Sequence, residues 1–346
     1  MILGLLLAAI GGGMDASQAL VMSLAKRWRW ESIWLVWSVF ACVIFPWAAV
    51  FVLLTKPSPI ELLHQIPTDV IARVVIFGAG WGIGSILFGL GVVRVGMGLG
   101  LGISISLLAA NGALWPLFLN KREALFTWEA GGIYLAVVIL VVGIILCSAA
   151  AYTRKEEKPL LERESTSFTA GIIFCVLCGF LSPLFNLAMD AGIVINKAAE
   201  QGGANPLAAA TLPVALVFSV GFFINAGYCV YLLVRNQSWK DFSEAGTGSH
   251  WLYGALMGLL QTAGFLIYSV AATKVEGKSS LPAVVLVWPI YTASMLLIGN
   301  LEGLLRGEWK GSDRRTYVLL AVGLVLLVSA SIVVVGLGSY LVSTPS

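Results

Sequence analysis

The chain has 346 residues, of which 59% are hydrophobic and 11% charged, with a net charge of +3 and a mean hydropathy of +0.92. A soluble domain carries roughly 25% charged residues, so these values exclude a water-soluble fold of this length, and the small net charge, scattered over short loops, argues against a nucleic-acid partner. The apolar runs are long and continuous rather than alternating, which in lipid selects α-helices over a closed β-barrel.

The first run, Met1–Leu24, is closed by Lys26, Arg27 and Arg29. It opens without a basic segment, so it reads as a span rather than as a cleaved signal peptide. The second run is Ile33–Leu54, closed by Lys56 and two prolines. The third, Ile71–Val93, and the fourth, Gly96–Leu119, are joined by a very short link holding Arg94. Gly96, Gly98, Gly100 and Gly102 open the fourth run. No strand precedes them, so they read as small-residue helix faces for close packing and not as a dinucleotide loop. The fifth run is Gly131–Tyr152, and the most hydrophilic stretch, Arg154–Ser167, follows it. Five more runs follow at Phe168–Ile195, Leu207–Val234, Trp251–Thr273, Pro282–Leu305 and Tyr317–Tyr340. The expected fold is an all-α membrane protein of about ten transmembrane helices.

Five spans, a charged linker and five more spans have the arithmetic of an inverted repeat, because an odd count per half reverses the second half in the membrane. The expected division is a first five-helix half at 1–152, a cytoplasmic linker at 153–167 and a second half at 168–346. Met14-Asp15-Ala16 matches Met189-Asp190-Ala191 at an offset of 175, and Gly84, Phe88 and Arg94 line up with Gly264, Tyr268 and Lys274 at an offset of 180. The loops after the odd-numbered spans carry 14 of the 21 Lys and Arg residues. The positive-inside rule assigns that side to the cytoplasm and both termini to the outside. Lys121-Arg122 and Arg314-Arg315 read as loop anchors.

Asp15 and Asp190 are the sharpest chemical feature, since both lie within apolar runs. A carboxylate inside a membrane costs about 3 kcal/mol even on the lenient insertion scale, and a bound proton removes that cost. Such a group suits a proton carrier; a carboxylate at a span end in the headgroup region is the alternative. Gln18 lies one turn from Asp15, and Asn186 one turn from Asp190. Asn111, Asn225, Gln261, Thr262 and Tyr268 also lie at apparent membrane depth. Amides and hydroxyls there can serve a polyhydroxylated ligand or bond between helices. Of twelve tryptophans, Trp28, Trp30, Trp128, Trp239, Trp251 and Trp309 fall near span ends, where the interface holds such rings. Trp37, Trp81, Trp115 and Trp288 lie deeper, and Trp81 and Trp288 are candidates for stacking on a sugar ring because a Gly or Pro follows each. All five cysteines lie inside apolar runs; Cys175 and Cys178 form a lone C-x-x-C and read as buried small residues. No metal or cofactor site is expected.

Several segments together resemble the L-rhamnose:proton symporter family of the drug/metabolite transporter superfamily. They are Phe77-Gly78-Ala79-Gly80-Trp81-Gly82-Ile83-Gly84, the run Gly96–Gly102, Asn205-Pro206, Pro213, Asn225, Cys229, Trp288, Glu308-Trp309 and Arg314-Arg315, in order over nearly the whole chain. Asp190 stands where the family pattern has Asn, and Asp15 has no acidic counterpart in that pattern, so the resemblance carries over no proton site. The resemblance implies two inverted five-helix halves, a bacterial inner-membrane location, and uptake of a neutral deoxy-sugar with a proton. The partners would be the sugar, protons and the lipid bilayer. A rival is an exporter of amino acids or other metabolites on the same plan. An enzyme finds little support, since the only histidines are His64 and His250.

Overall fold

The computed structural model describes residues 1–95, 97–153 and 165–343. Most of the predicted linker, residues 154–164, therefore lies outside the described residues. Among the described residues, ten helices are long and apolar enough to cross a membrane. They are α1 (Ile2–Met22), α2 (Trp30–Leu53), α3 (Thr68–Val92), α4 (Leu99–Asn120), α5 (Trp128–Thr153), α6 (Phe168–Gln201), α7 (Pro206–Arg235), α8 (Gly248–Val275), α9 (Ala283–Leu305) and α10 (Arg314–Leu337). At 1.5 Å per residue each can cross the roughly 30 Å hydrocarbon layer. The sequence boundaries agree with these to within three residues, except at the end of α6. There Asn196, Lys197 and Glu200 look like a loop, yet the helix continues to Gln201 because its polar side chains find partners on α8.

Proline interrupts two of the spans and opens a third. In α2 a π-helical segment, Phe40–Ile44, precedes Pro46. Pro46 has no N–H for the carbonyl five residues back, that of Ala41. The hydroxyl of Thr262 on α8 donates to this carbonyl at 3.2 Å instead. Gly258, one turn before Thr262, lets α8 approach: a Cβ there would lie 2.7 Å from Ala41 N. In α6 the helix breaks at Ser182-Pro183 and resumes at Leu184. In α7 the Asn205 side chain accepts from Ala208 N at 2.9 Å and starts the helix at Pro206.

The packing is reciprocal between the halves. α1 packs on α8 and α9, and α6 packs on α3 and α4; α2 meets α7 and α8, and α7 meets α2 and α3; α5 and α10 lie side by side. Glycine sets both principal crossings. A Cβ on Gly11 would lie 2.7 Å from the Gly264 carbonyl oxygen, and one on Gly84 would lie 2.6 Å from Ser182 N. Gly264 and Gly84 are the pair matched at an offset of 180. Their partners Gly11 and Ser182 are 171 apart, one helical turn short of the Met-Asp-Ala match. Counted from these two crossings, Asn186 rather than Asp190 stands as far from its glycine contact as Asp15 does from Gly11.

The outer surface is apolar, as a lipid-facing surface must be: Phe51, Val52, Ile76, Val325 and Ile332 all point outward. Trp128, Trp239 and Trp251 are exposed near helix ends, whereas Trp28 and Trp309 are buried. Those two were expected at the interface; instead Trp28 packs in a cluster with Phe242, His250 and Trp251. The cysteines are all free and buried, Cys175 and Cys178 included.

Two measurements test this arrangement. Gly12 lies against the Tyr291 backbone, whereas a Cβ at Gly299 meets nothing. Gly12→Leu should lose about 1–3 kcal/mol of stability through overpacking, while Gly299→Ala should not destabilise; thermal unfolding in detergent compares them. For topology, Lys310→Cys should resist an impermeant maleimide on intact cells and react after permeabilisation, against a low background from the buried native cysteines.

Candidate functional site

A cavity of about 190 Å³ lies between the halves. Asp15 and Gln18 of α1, Trp34 and Trp37 of α2, and Trp81 and Ser85 of α3 form one part of its wall. Ser182 and Phe185 of α6, Gln261 and Phe265 of α8, and Trp288, Tyr291 and Thr292 of α9 form the other. Phe88, Ile105 and Met295 line it nearer the linker-side helix ends. The Ser182-Pro183 break in α6 falls in this wall; Pro183 has no N–H for the Gly179 carbonyl, and Asn111 on α4 donates to that carbonyl instead, at 2.9 Å.

Asp15 is the one carboxylate among the lining residues. Gln18 Nε2 donates to Asp15 Oδ1 at 2.6 Å, and the Tyr291 hydroxyl lies beside the same carboxyl group. Two buried polar atoms on the lining residues have no protein partner, Gln18 Oε1 and Trp37 Nε1, while the Tyr291 hydroxyl has the Asp15 carboxyl beside it. Trp37 is 2% exposed and Tyr291 1%, so both rings are enclosed in the wall. An unpaired buried polar group costs on the order of 1–3 kcal/mol. An acceptor, a donor and a hydroxyl around one cavity suit a ligand whose hydroxyl groups both donate and accept.

Aromatic rings close the end of the cavity away from the linker. Trp81 stacks on Phe218 at 5.1 Å between centroids, Phe185 lies 4.2 Å from Phe265, and Phe265 stacks on Tyr291 at 5.5 Å. Polar contacts across α6 and α8 reinforce this seal. The Tyr268 hydroxyl donates to Asn186 Oδ1, and Asn186 Nδ2 donates to the Gly112 carbonyl at 2.6 Å. Asn196 Nδ2 donates to Ser269 Oγ at 2.9 Å and Thr273 Oγ1 at 2.8 Å. Lys197 pairs with Glu276 at 3.6 Å. These contacts close the side of the cavity away from the linker.

Asp15, Gln18, Trp81, Gln261 and Trp288 are thus gathered at one cavity. The other candidates lie elsewhere. Asn186 and Tyr268 belong to the seal. Asn111 donates to the Gly179 carbonyl at 2.9 Å. Asn225 is fully buried and stands behind the wall: it accepts from Trp34 Nε1 at 3.1 Å and Ser85 Oγ at 2.9 Å, and donates to the Gly221 carbonyl at 2.9 Å. Asp190 accepts from the Asn120 amide and lines a second cavity of about 540 Å³ beyond the seal, with Arg73, Lys121, Lys197 and Glu276. Sequence reasoning passed over Trp34, Trp37 and Tyr291 as wall residues. The spacing of three between Trp34 and Trp37, and again between Trp288 and Tyr291, places each pair on one helix face and was the available signal.

The family model described as L-rhamnose-proton symport protein (RhaT) matches residues 1–339. An L-rhamnose-proton symporter of Cronobacter sakazakii is 31% identical over 97% of this chain and 98% of its own. Those of Klebsiella pneumoniae and Yersinia pestis are 30% and 29% identical, again covering 98% of their own length. One solved structure superposes with a TM-score of 0.59 at 13% identity over 98% of each chain, a likeness that extends to the fold alone. With the family model spanning all ten helices, the chain belongs to the L-rhamnose-proton symport protein family.

Proposed function

We propose that this protein imports L-rhamnose, or a close neutral monosaccharide, together with a proton across the bacterial inner membrane. The observation that carries the reading is the central cavity: neutral hydrogen-bonding groups, aromatic walls and a single carboxylate, with no Lys or Arg among the lining residues. A neutral polyol needs no counter-charge, whereas an amino acid brings a carboxylate that such a wall would leave unpaired. The cavity faces the side richer in Lys and Arg, so this is a cytoplasm-facing conformation. Transport then follows from two bundles, α1, α2, α8 and α9 against α3, α4, α6 and α7, rocking about the cavity between them.

Asp15 is the leading proton carrier in this reading. A proton on Asp15 removes the charge from the cavity while the bundles move, which lowers the cost of passing through a closed state. Asp190 is the second candidate, on the outer side, where an incoming proton meets it before the seal.

Uptake of labelled sugars into membrane vesicles, with and without an uncoupler, tests the substrate; transport of amino acids without sugar transport would sink the reading. Asp15→Asn keeps the size but cannot ionise. It should lower proton-driven accumulation by at least about tenfold, within the usual range of coupling factors, and lower sugar exchange far less. Full accumulation in Asp15→Asn would move the proton site to Asp190, with Asp190→Asn the deciding variant.

The seal predicts a shift in conformation. Tyr268→Phe and Asn196→Ala each remove hydrogen bonds worth about 1 kcal/mol, or about fivefold in population. A cysteine placed at Ser182, on the cavity wall, should react several-fold faster with an impermeant reagent from outside in these variants. Unchanged labelling would show that the aromatic rings alone hold the seal.

A further inference from the structure

Gln18 is the only cavity residue whose amide is half used. Its Nε2 donates to Asp15 Oδ1 at 2.6 Å, while its Oε1 is buried on the same cavity without a partner. We propose that Gln18 is the positioning residue that couples sugar binding to the proton, by presenting a different atom to the sugar according to the protonation state of Asp15. The proposal rests on the reading of Asp15 as the proton carrier.

The chemistry follows from the amide's two ends. An ionised carboxylate accepts hydrogen bonds and donates none. It holds the Gln18 NH₂ toward itself, as the structure shows, and leaves Oε1 to the cavity, where a sugar hydroxyl can donate to it. A protonated Asp15 carries an O–H, which needs an acceptor at the same place. Rotation of the Gln18 amide supplies Oε1 to that O–H and turns the NH₂ into the cavity, where it donates to a sugar hydroxyl oxygen. A hydronium ion gives up the proton: its O–H bond breaks as an O–H bond to a carboxylate oxygen of Asp15 forms, water is left, and no other covalent bond changes. The sugar thus meets an acceptor in one state and a donor in the other. Its affinity must then differ between the two, and by linkage its binding must shift the affinity for the proton by the same factor.

The surroundings leave this pair to itself. Tyr291 of α9 is the titratable group that faces Asp15. Tyr268 of α8 is engaged with Asn186, and Glu302 of α9 accepts from Ser17 Oγ at 2.6 Å on another face of α1. α10 borders α1 with Leu327, Val328 and Val335, near Leu5 and Ala9. Gln18 is one turn from Asp15 on the same helix, so the pair moves together as α1 rocks and the contact survives the change of state.

The test is the pH dependence of sugar affinity. Binding of L-rhamnose to the purified protein in detergent can be read from tryptophan fluorescence, since Trp34 and Trp37 line the cavity. In the unaltered protein the dissociation constant should change on the order of 5–150-fold between the protonated and ionised forms of Asp15, the usual span of a coupling. Gln18→Met matches the length but removes both ends of the amide; the ratio should fall to within about twofold of unity, the span in which little coupling remains. Gln18→Asn keeps an amide one methylene short and should retain part of the ratio, which covers the case in which the Met variant fails to fold. A Met variant that binds more weakly by the same factor at every pH would assign Gln18 a merely structural role and overturn the proposal while leaving Asp15 as the carrier. A ratio that survives Asp15→Asn would overturn the Asp15 reading and this proposal together.

Discussion

Everything in this structure answers to the absence of water in the hydrocarbon layer. Each backbone group must find its partner inside the protein, and each departure from regular helix must be made good by a neighbour. The π-helical segment of α2 illustrates the rule. Pro46 deprives the Ala41 carbonyl of its donor, and Thr262 supplies one from α8. The glycine one turn earlier on α8 is what lets that hydroxyl come close enough. A proline on one helix and a Gly-x-x-x-Thr step on another thus form a single unit, although neither has a reason to exist without the other.

The same constraint explains why most membrane-depth amides do not contact ligand. Asn111, Asn186, Asn196 and Asn225 each donate to a carbonyl or hydroxyl on a neighbouring segment or on their own helix. Once paired in this way an amide is spent on architecture. The groups left unpaired are therefore informative, and on the central cavity they are Gln18 and Trp37. Their cost is tolerable only because the cavity admits water or ligand, which is how a transport site differs from a core.

The two faces of the protein are tied differently. On the linker side, Glu31 accepts from Ser238 at 2.7 Å and Asn236 at 2.9 Å, Asp241 accepts from Ser32 at 2.7 Å, and Arg27 pairs with Glu244. These contacts bind the start of α2 to the loop after α7. On the opposite side the ties run directly across α6 and α8 and close the path. Rocking needs one seam that holds and another that parts. The α2–α7 seam has charged contacts that survive movement as a joint, while the α6–α8 seam has neutral hydrogen bonds of about 1 kcal/mol each that thermal motion can exchange for water.

The sequence by itself determined what depends on composition and run length. Ten spans, their boundaries and the excess of Lys and Arg on one side follow from lipid's demand for long apolar helices, whatever their packing. The ordered set of motifs was enough to reach the family. Asp15 stood out for the same reason, because a charge in an apolar run is visible without coordinates. Which residues share the cavity was decided by tertiary structure alone. Asp15 and Asp190 look equivalent in the chain, with the same neighbours on either side, yet the crossing of α6 at Gly84 and Ser182 is displaced by one turn from the crossing of α1 at Gly11 and Gly264. That turn sends Asp190 beyond the seal and puts Asn186 in the place its counterpart holds. The displacement is set by where backbones touch, and glycine contacts between segments 98 and 253 residues apart leave no periodicity for a sequence reading to find.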